Sequence, residues 1–306
     1  LVSCQSDTSF NAIDNLMFQT VYPVVVSGLL YIAKTIHLYL RRGSDAADLS
    51  QISLRYFNIF LVILYLILPS VSIVIFQTFS CQDVDPDDVE SSPERYMSAD
   101  YSVSCSSAEY QEGVAWAIVS ILIYPVGVPL LYFYILLSSR YDITTRFLPL
   151  PPPDTASRRA RLMPKKLLFE FYAPNFWFWE VVETVHRLLL TGLLVVIAQG
   201  TGVQIIVGLS VALFFLKLLD SFQPYVDSHV QRARMMCQWQ IYFVFFLALI
   251  LKADFESVNR TAVDALFILV ITANVLMDVL FVAKLLLRKA IKGSEKEPER
   301  DVARCG

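Results

Sequence analysis

Apolar residues gather into seven stretches, separated by segments dense in charge, proline or glycine. A bilayer core takes about 20 helical residues to cross. The stretches at 20–40, 56–79, 114–137 and 177–198 approach or reach that length. A fifth runs from the glycines after 199 to Leu219, and the last two cover 239–251 and 263–287. Pro69 predicts a kink in the second. The third contains YPVGVPLLY, with Pro125, Gly127 and Pro129; membrane helices tolerate proline where neighbours satisfy the freed carbonyls. Gln199-Gly200-Thr201-Gly202 predicts a tight turn, because glycine relieves the steric limit on φ. The pattern predicts an all-α, polytopic transmembrane bundle over 1–288. It has polar loops at 80–112 and 138–175, a connection at 220–238, and a charged tail at 289–306.

Composition agrees. The chain of 306 residues is 56% hydrophobic and 17% charged, with mean hydropathy +0.53, too apolar for a soluble domain of this size. The net charge of −3 sums over opposed compartments and points to no nucleic-acid partner. The first residue is Leu1, with neither a basic n-region nor a small-residue cleavage site. This reads as the membrane-embedded part of a longer chain rather than a signal peptide.

Orientation follows from lysine and arginine. Numbered alternately, one set of loops holds Arg41, Arg42, Arg55, Arg140, Arg146, Arg158, Arg159, Arg161, Lys165, Lys166, Arg232, Arg234 and the tail from Arg288 to Arg304. The other set holds Arg95, Lys252 and Arg260. Seven spans with the N-terminus outside and the C-terminus cytoplasmic satisfy this bias. A rival reading has six spans. In it, 188–219 is one long helix and 171–187 lies on the surface as an amphipathic helix. The rival avoids burying charge but sets two glycines mid-helix and the basic tail outside.

Cys81 and Cys105 share the outer loop 80–112, where an oxidising compartment permits a disulfide. Asp83, Asp85, Asp87 and Glu94 mimic EF-hand spacing, but Asp88 stands where the turn needs glycine and Pro86 stiffens the loop. A solvated acidic loop is the reading, with a calcium site as its alternative. Asn259-Arg260-Thr261 is a glycosylation sequon in a short outer loop.

The fourth stretch carries Glu180, Glu183, His186 and Arg187. Glu180, Glu183 and Arg187 fall at i, i+3 and i+7, on one helical face. Charge at membrane depth is expensive and tends to be functional. Counting depth along the other spans brings Lys34, Lys217 and Asp278 to similar heights. The expectation is a buried network of Lys34, Arg187 and Lys217 against Glu180, Glu183 and Asp278, with Glu183–Lys217 and Arg187–Asp278 bridging between spans. Three roles stay open: glue that fixes helix register, the lining of an ion or proton path, or a switch whose re-pairing changes conformation.

The sequence has no Walker loop, HExxH, GxSxG or metal-spaced Cys/His set, so no enzyme activity and no cofactor are expected. The last link, 252–262, is too short for a re-entrant pore loop. The basic run 158–166 suits anionic lipid headgroups or a cytoplasmic protein.

FQTFSCQ, SADYSVSC, YPVGVPLLY, FYAPNFWFWEVVETVHRLLLTG and FQPY together resemble a membrane module in large surface proteins of algae, oomycetes and other protists. That module follows Cys-rich, EGF-like or ephrin-receptor-like repeats and is grouped loosely with TRP-like proteins. The resemblance covers about 16–287. It implies an N-terminal ectodomain but brings no established activity, and its TRP-like label implies ion conduction; the expectation is a receptor-like or adhesion module at the plasma membrane, with a TRP-like cation channel or transporter subunit as the alternative. It assigns no functional residues and leaves the oligomeric state open.

Overall fold

The computed structural model describes residues 11–43, 45–83, 95–145, 162–197 and 200–252, with seven further helical positions between 265 and 283. Five helices are long and apolar enough to cross a membrane: Ala12–Leu40, Asp48–Gln77, Ala108–Thr144, Gly202–Phe222 and Ser228–Lys252. The chain divides into two compact units, Leu1–Gln204 and Ile205–Gly306.

In the first unit, α1 (Ala12–Leu40) starts earlier than its apolar stretch because Asn11 caps it. The Asn11 carboxamide oxygen accepts from the amides of Ile13 and Asp14, and the Asp14 carboxylate accepts from the Asn11 amide. The second helix, α2 (Ala46–Gln77), is the central one. Leu61, Leu64, Leu68, Val71 and Ile75 recur every three or four residues and are all buried. They pack on a rod made of α3 (Ala108–Ile121), a π-turn (Leu122–Val126) and α4 (Gly127–Thr144), which buries Tyr124, Val128, Tyr132, Ile135 and Leu136. Pro125 explains the π-turn: it has no N–H for the carbonyl four residues back, so the ladder widens there. Next, α5 (Trp179–Leu188) continues through a second π-turn (Leu189–Leu193) into a last turn, α6 (Leu194–Val196). Gly192 in this π-turn lies against the Phe76 ring, and an added Cβ would clash with the edge of that ring. Val24, Leu29, Tyr31 and Ile36 on α1 stay exposed, a pattern that suits lipid.

One expectation is corrected at the end where α1 begins and α2 finishes. The loop 80–112 is not a plain polar loop in an all-α chain. It holds an antiparallel sheet, β1 (Cys81–Asp83), β2 (Arg95–Met97) and β3 (Asp100–Ser104), in the order β1-β2-β3. Strands of three to five residues are too short to print an alternating pattern. A disulfide joins Cys81 to Cys105 across 24 residues, a closure worth about 3 kcal/mol in the chain-entropy model. Met97 and Val103 bury against Ile13. The sheet end is sewn to α1 by two bonds: the Ala12 amide donates to Asp100 Oδ2 at 3.0 Å, and Asn11 Nδ2 donates to Glu109 Oε1 at 2.6 Å.

At the opposite end, a 3-10 segment (Met163–Leu168) docks under the bundle and buries Leu168, with Leu162 and Phe169 beside it. This segment lies within the expected loop 138–175, and α4 itself reaches Thr144. Lys165 Nζ donates to Ser139 Oγ at 2.6 Å, and Lys166 pairs with Glu170 at 2.7 Å. Burial holds the Lys165 ammonium below its ordinary range, with Asp142 pulling the other way.

Gly200 adopts φ +72, which only glycine takes freely. Gln204 closes the turn: its Nε2 donates to the Leu194 carbonyl at 2.8 Å and its Oε1 accepts from the Gly200 amide at 3.0 Å. The turn ends α6 before α7 (Gly202–Phe222) begins, so 188–219 is not one helix.

In the second unit, α8 spans Ser228–Lys252. The expected connection at 220–238 therefore contracts to the few residues after Phe222, because Asp227 Oδ1 accepts from the His229 amide at 2.8 Å and starts the helix early. Two glutamines of α8 bind backbone carbonyls of α7: Gln238 Nε2 reaches Ala212 at 3.0 Å and Gln231 Nε2 reaches Leu219 at 3.1 Å. Such polar bonds hold helices together where apolar burial gives no preference over lipid.

Candidate functional site

The charged face of α5 turns inward. Glu180, Glu183, Thr184 and His186 are buried, and Arg187 is partly covered. Glu180 is the centre. Its Oε1 accepts from Arg187 Nη2 at 2.8 Å, and its Oε2 accepts from the Tyr172 hydroxyl at 2.8 Å. Both carboxylate oxygens are therefore engaged by charge-assisted bonds. The Arg187 guanidinium also stacks over the Tyr65 ring of α2, 4.1 Å from its centre. Glu183 lies at the edge of this pair. Trp179 Nε1 donates to its Oε1 at 3.4 Å, and His186 Nδ1 stands 4.0 Å from its Oε2.

The helix is shaped around these groups. Thr184 donates to the Glu180 carbonyl at 2.8 Å, and Thr191 donates to the Arg187 carbonyl at 2.7 Å. Such back-bonding loosens the ladder, and the π-turn follows directly. Gly192 then lets α5 lie close against Phe76 of α2. Between α2, α4 and α5, Tyr65, Pro69, Tyr132, Thr184 and Arg187 border a cavity of about 10 Å³. That is room for about one water molecule.

The structure brings together Glu180, Glu183 and Arg187 of the sequence-predicted set. It seats Lys34 elsewhere, in a groove with Tyr56, Phe57 and Phe60. Lys217 is exposed on α7, in the second unit. Asp278 lies outside the described residues, as do Asp85, Asp87, Glu94 and Asn259. Asp83 is paired with Arg95 at 3.2 Å. The sequence reading did not find Tyr172, Tyr65 and Tyr132. Tyr172 reaches Glu180 only because a short 3-10 turn (Pro174–Phe176) folds the chain back before α5 begins. The Trp179–Glu183 contact spans four helical residues and was available from spacing alone.

Height along the α1–α2 pair can be read from the packing. Gln77 of α2 and Asn15 of α1 border one groove near the sheet, while Phe57 and Lys34 border another near the opposite end. About 20 residues of each helix separate the two levels, about 30 Å of helix, matching the hydrocarbon thickness of a bilayer. Arg187, over Tyr65, sits about 18 Å below the Gln77 level, near the middle. Compared with protein-family models, curated proteins and solved structures, the chain matches none.

Proposed function

We propose that this chain is a seven-span membrane module of a larger cell-surface protein, with its N-terminus outside and its C-terminus cytoplasmic, and that it anchors or relays for an extracellular part. The lysine and arginine bias supports this orientation. So does the position of the disulfide, which belongs on the oxidising side and lies at the end away from Arg41, Arg42, Arg140, Lys165 and Lys166. The motifs that resemble the protist surface-protein module support the receptor-like or adhesion role at the plasma membrane. The basic run 158–166 then faces anionic headgroups or a cytoplasmic protein partner.

One observation favours anchoring over conduction. Among the described residues, the Glu180–Arg187 pair is closed on itself: Glu180 is engaged by Arg187 and Tyr172, and the cavity beside it has about 10 Å³. An ion path needs a continuous wet passage lined by groups free to exchange partners. Arg187, held by Glu180 of its own helix, therefore acts as a clasp that fixes α5 against the Tyr65 ring of α2. Reconstitution into liposomes with a fluorescent cation reporter tests the role. The expected result is no flux above empty liposomes. A reproducible cation current lost in Glu180→Gln would favour the channel reading instead. Labelling of single cysteines from each side of sealed cells tests the orientation.

A further inference from the structure

Lys34 is half-buried on α1 and borders a groove of about 210 Å³ with Leu30, Tyr31, Tyr56, Phe57 and Phe60. Among the described residues, no carboxylate or hydrogen-bond acceptor holds its ammonium. It lies about 30 Å along the helix pair from the Asn15 and Gln77 level, about two turns before the Arg41–Arg42 end of α1. A lysine there lays its stem along apolar helix and lifts its ammonium to the headgroups. Tyr31 and Tyr39 are exposed near the same end, where aromatic residues with a polar tip concentrate.

Charge and shape single out one occupant. Lys34, Arg41, Arg42 and Arg55 are the cations at this end of α1 and α2, against Asp45 and Asp48. From Lys34 toward mid-depth the groove wall is Leu30, Phe57 and Phe60, with Ser27 beyond them bonded to the Pro23 carbonyl of its own helix, a mostly apolar track suited to an acyl chain and not to a water-soluble anion. We propose that this groove binds one anionic phospholipid, with Lys34 as the counter-charge of its phosphate and Phe57 and Phe60 against the upper acyl chain. This site rests on the reading that α1 and α2 span a bilayer. It is separate from the basic run 158–166, whose described lysines are bonded to Ser139 and Glu170.

Native mass spectrometry of the full chain, with added phosphatidylglycerol or phosphatidylcholine of matched chains, tests it. Wild type is expected to retain one more phosphatidylglycerol than phosphatidylcholine. Lys34→Gln should bind that lipid about fivefold more weakly, the loss of one interfacial cation, and Lys34→Arg should restore it. Phe60→Ala should weaken both lipids alike at this site. Equal retention by wild type and Lys34→Gln would overturn the site. Alkaline carbonate extraction separates the two levels of failure. A chain released from membranes sinks the spanning reading and the site with it. A chain kept in membranes, with lipid binding unmoved by Lys34→Gln, sinks the site alone.

Discussion

Arg187 and Lys34 are both cations on membrane-length apolar sequence, and the protein treats them in opposite ways. Arg187 points into the first unit, where Glu180 and the Tyr65 ring take it up. Lys34 borders a groove between α1 and α2, and no described residue takes it up. The difference is one of face and height, not of residue type. A cation near mid-depth needs a protein partner because nothing else there can solvate it. A cation at the slab edge can use the interface itself.

Removing one half of the buried pair should have the largest effect. Arg187→Ala leaves the Glu180 carboxylate buried with only Tyr172 to hold it. The expected loss is about 3–5 kcal/mol, read as a large fall in melting temperature in detergent, or as failure to accumulate. Gly192→Ala comes next. It drives a methyl into Phe76 and pushes α5 from α2, at about 1–3 kcal/mol. The companion Phe76→Leu should recover part of it, whereas a Gly192→Ala protein of unchanged stability would show that the close approach does not hold the clasp.

Much of this fold was legible from hydropathy alone, because spans must satisfy their backbone internally and so print long apolar runs. The inward face of α5 was legible too, since Glu180, Glu183 and Arg187 share it by spacing. What depth counting could not supply was azimuth. It also erred in height: it placed Lys34 level with Arg187, whereas the packing sets Lys34 about 12 Å nearer the α1–α2 turn, in a groove of its own. The partner of Glu180 outside its helix, Tyr172, depends on an irregular turn with no periodicity to read. The sheet at the disulfide end was hidden for the same reason: its strands are only a few residues long.

Two smaller effects probe the sides of the comparison away from the clasp. At Asp100, burial opposes the charged form, but the amide and hydroxyl of Ser102 and the Ala12 amide outweigh it and hold the carboxyl below its ordinary value of 3.8. A carboxyl lowered on folding stabilises the native state at any pH above the unfolded value. That contribution is lost as pH falls through the lower folded value. Melting temperature should therefore drop with acid below about pH 4, less steeply in Asp100→Asn, while the same variant at pH 7 loses the carboxylate bond to the start of α1. Smallest of all, Lys34→Ala should change stability by no more than about 0.5 kcal/mol. A loss as large as that of Arg187→Ala would place Lys34 inside a structural network after all.

A double-mutant cycle on Glu180 and Arg187 tests the clasp most directly, using changes that remove the charge while roughly keeping side-chain length. Melting temperatures are compared for wild type, Glu180→Gln, Arg187→Met and the double variant. A structural pair predicts that each single variant is destabilised and that the double variant recovers part of the loss, with a coupling of about 1–3 kcal/mol. Additive losses, or single variants that melt like wild type, would contradict it.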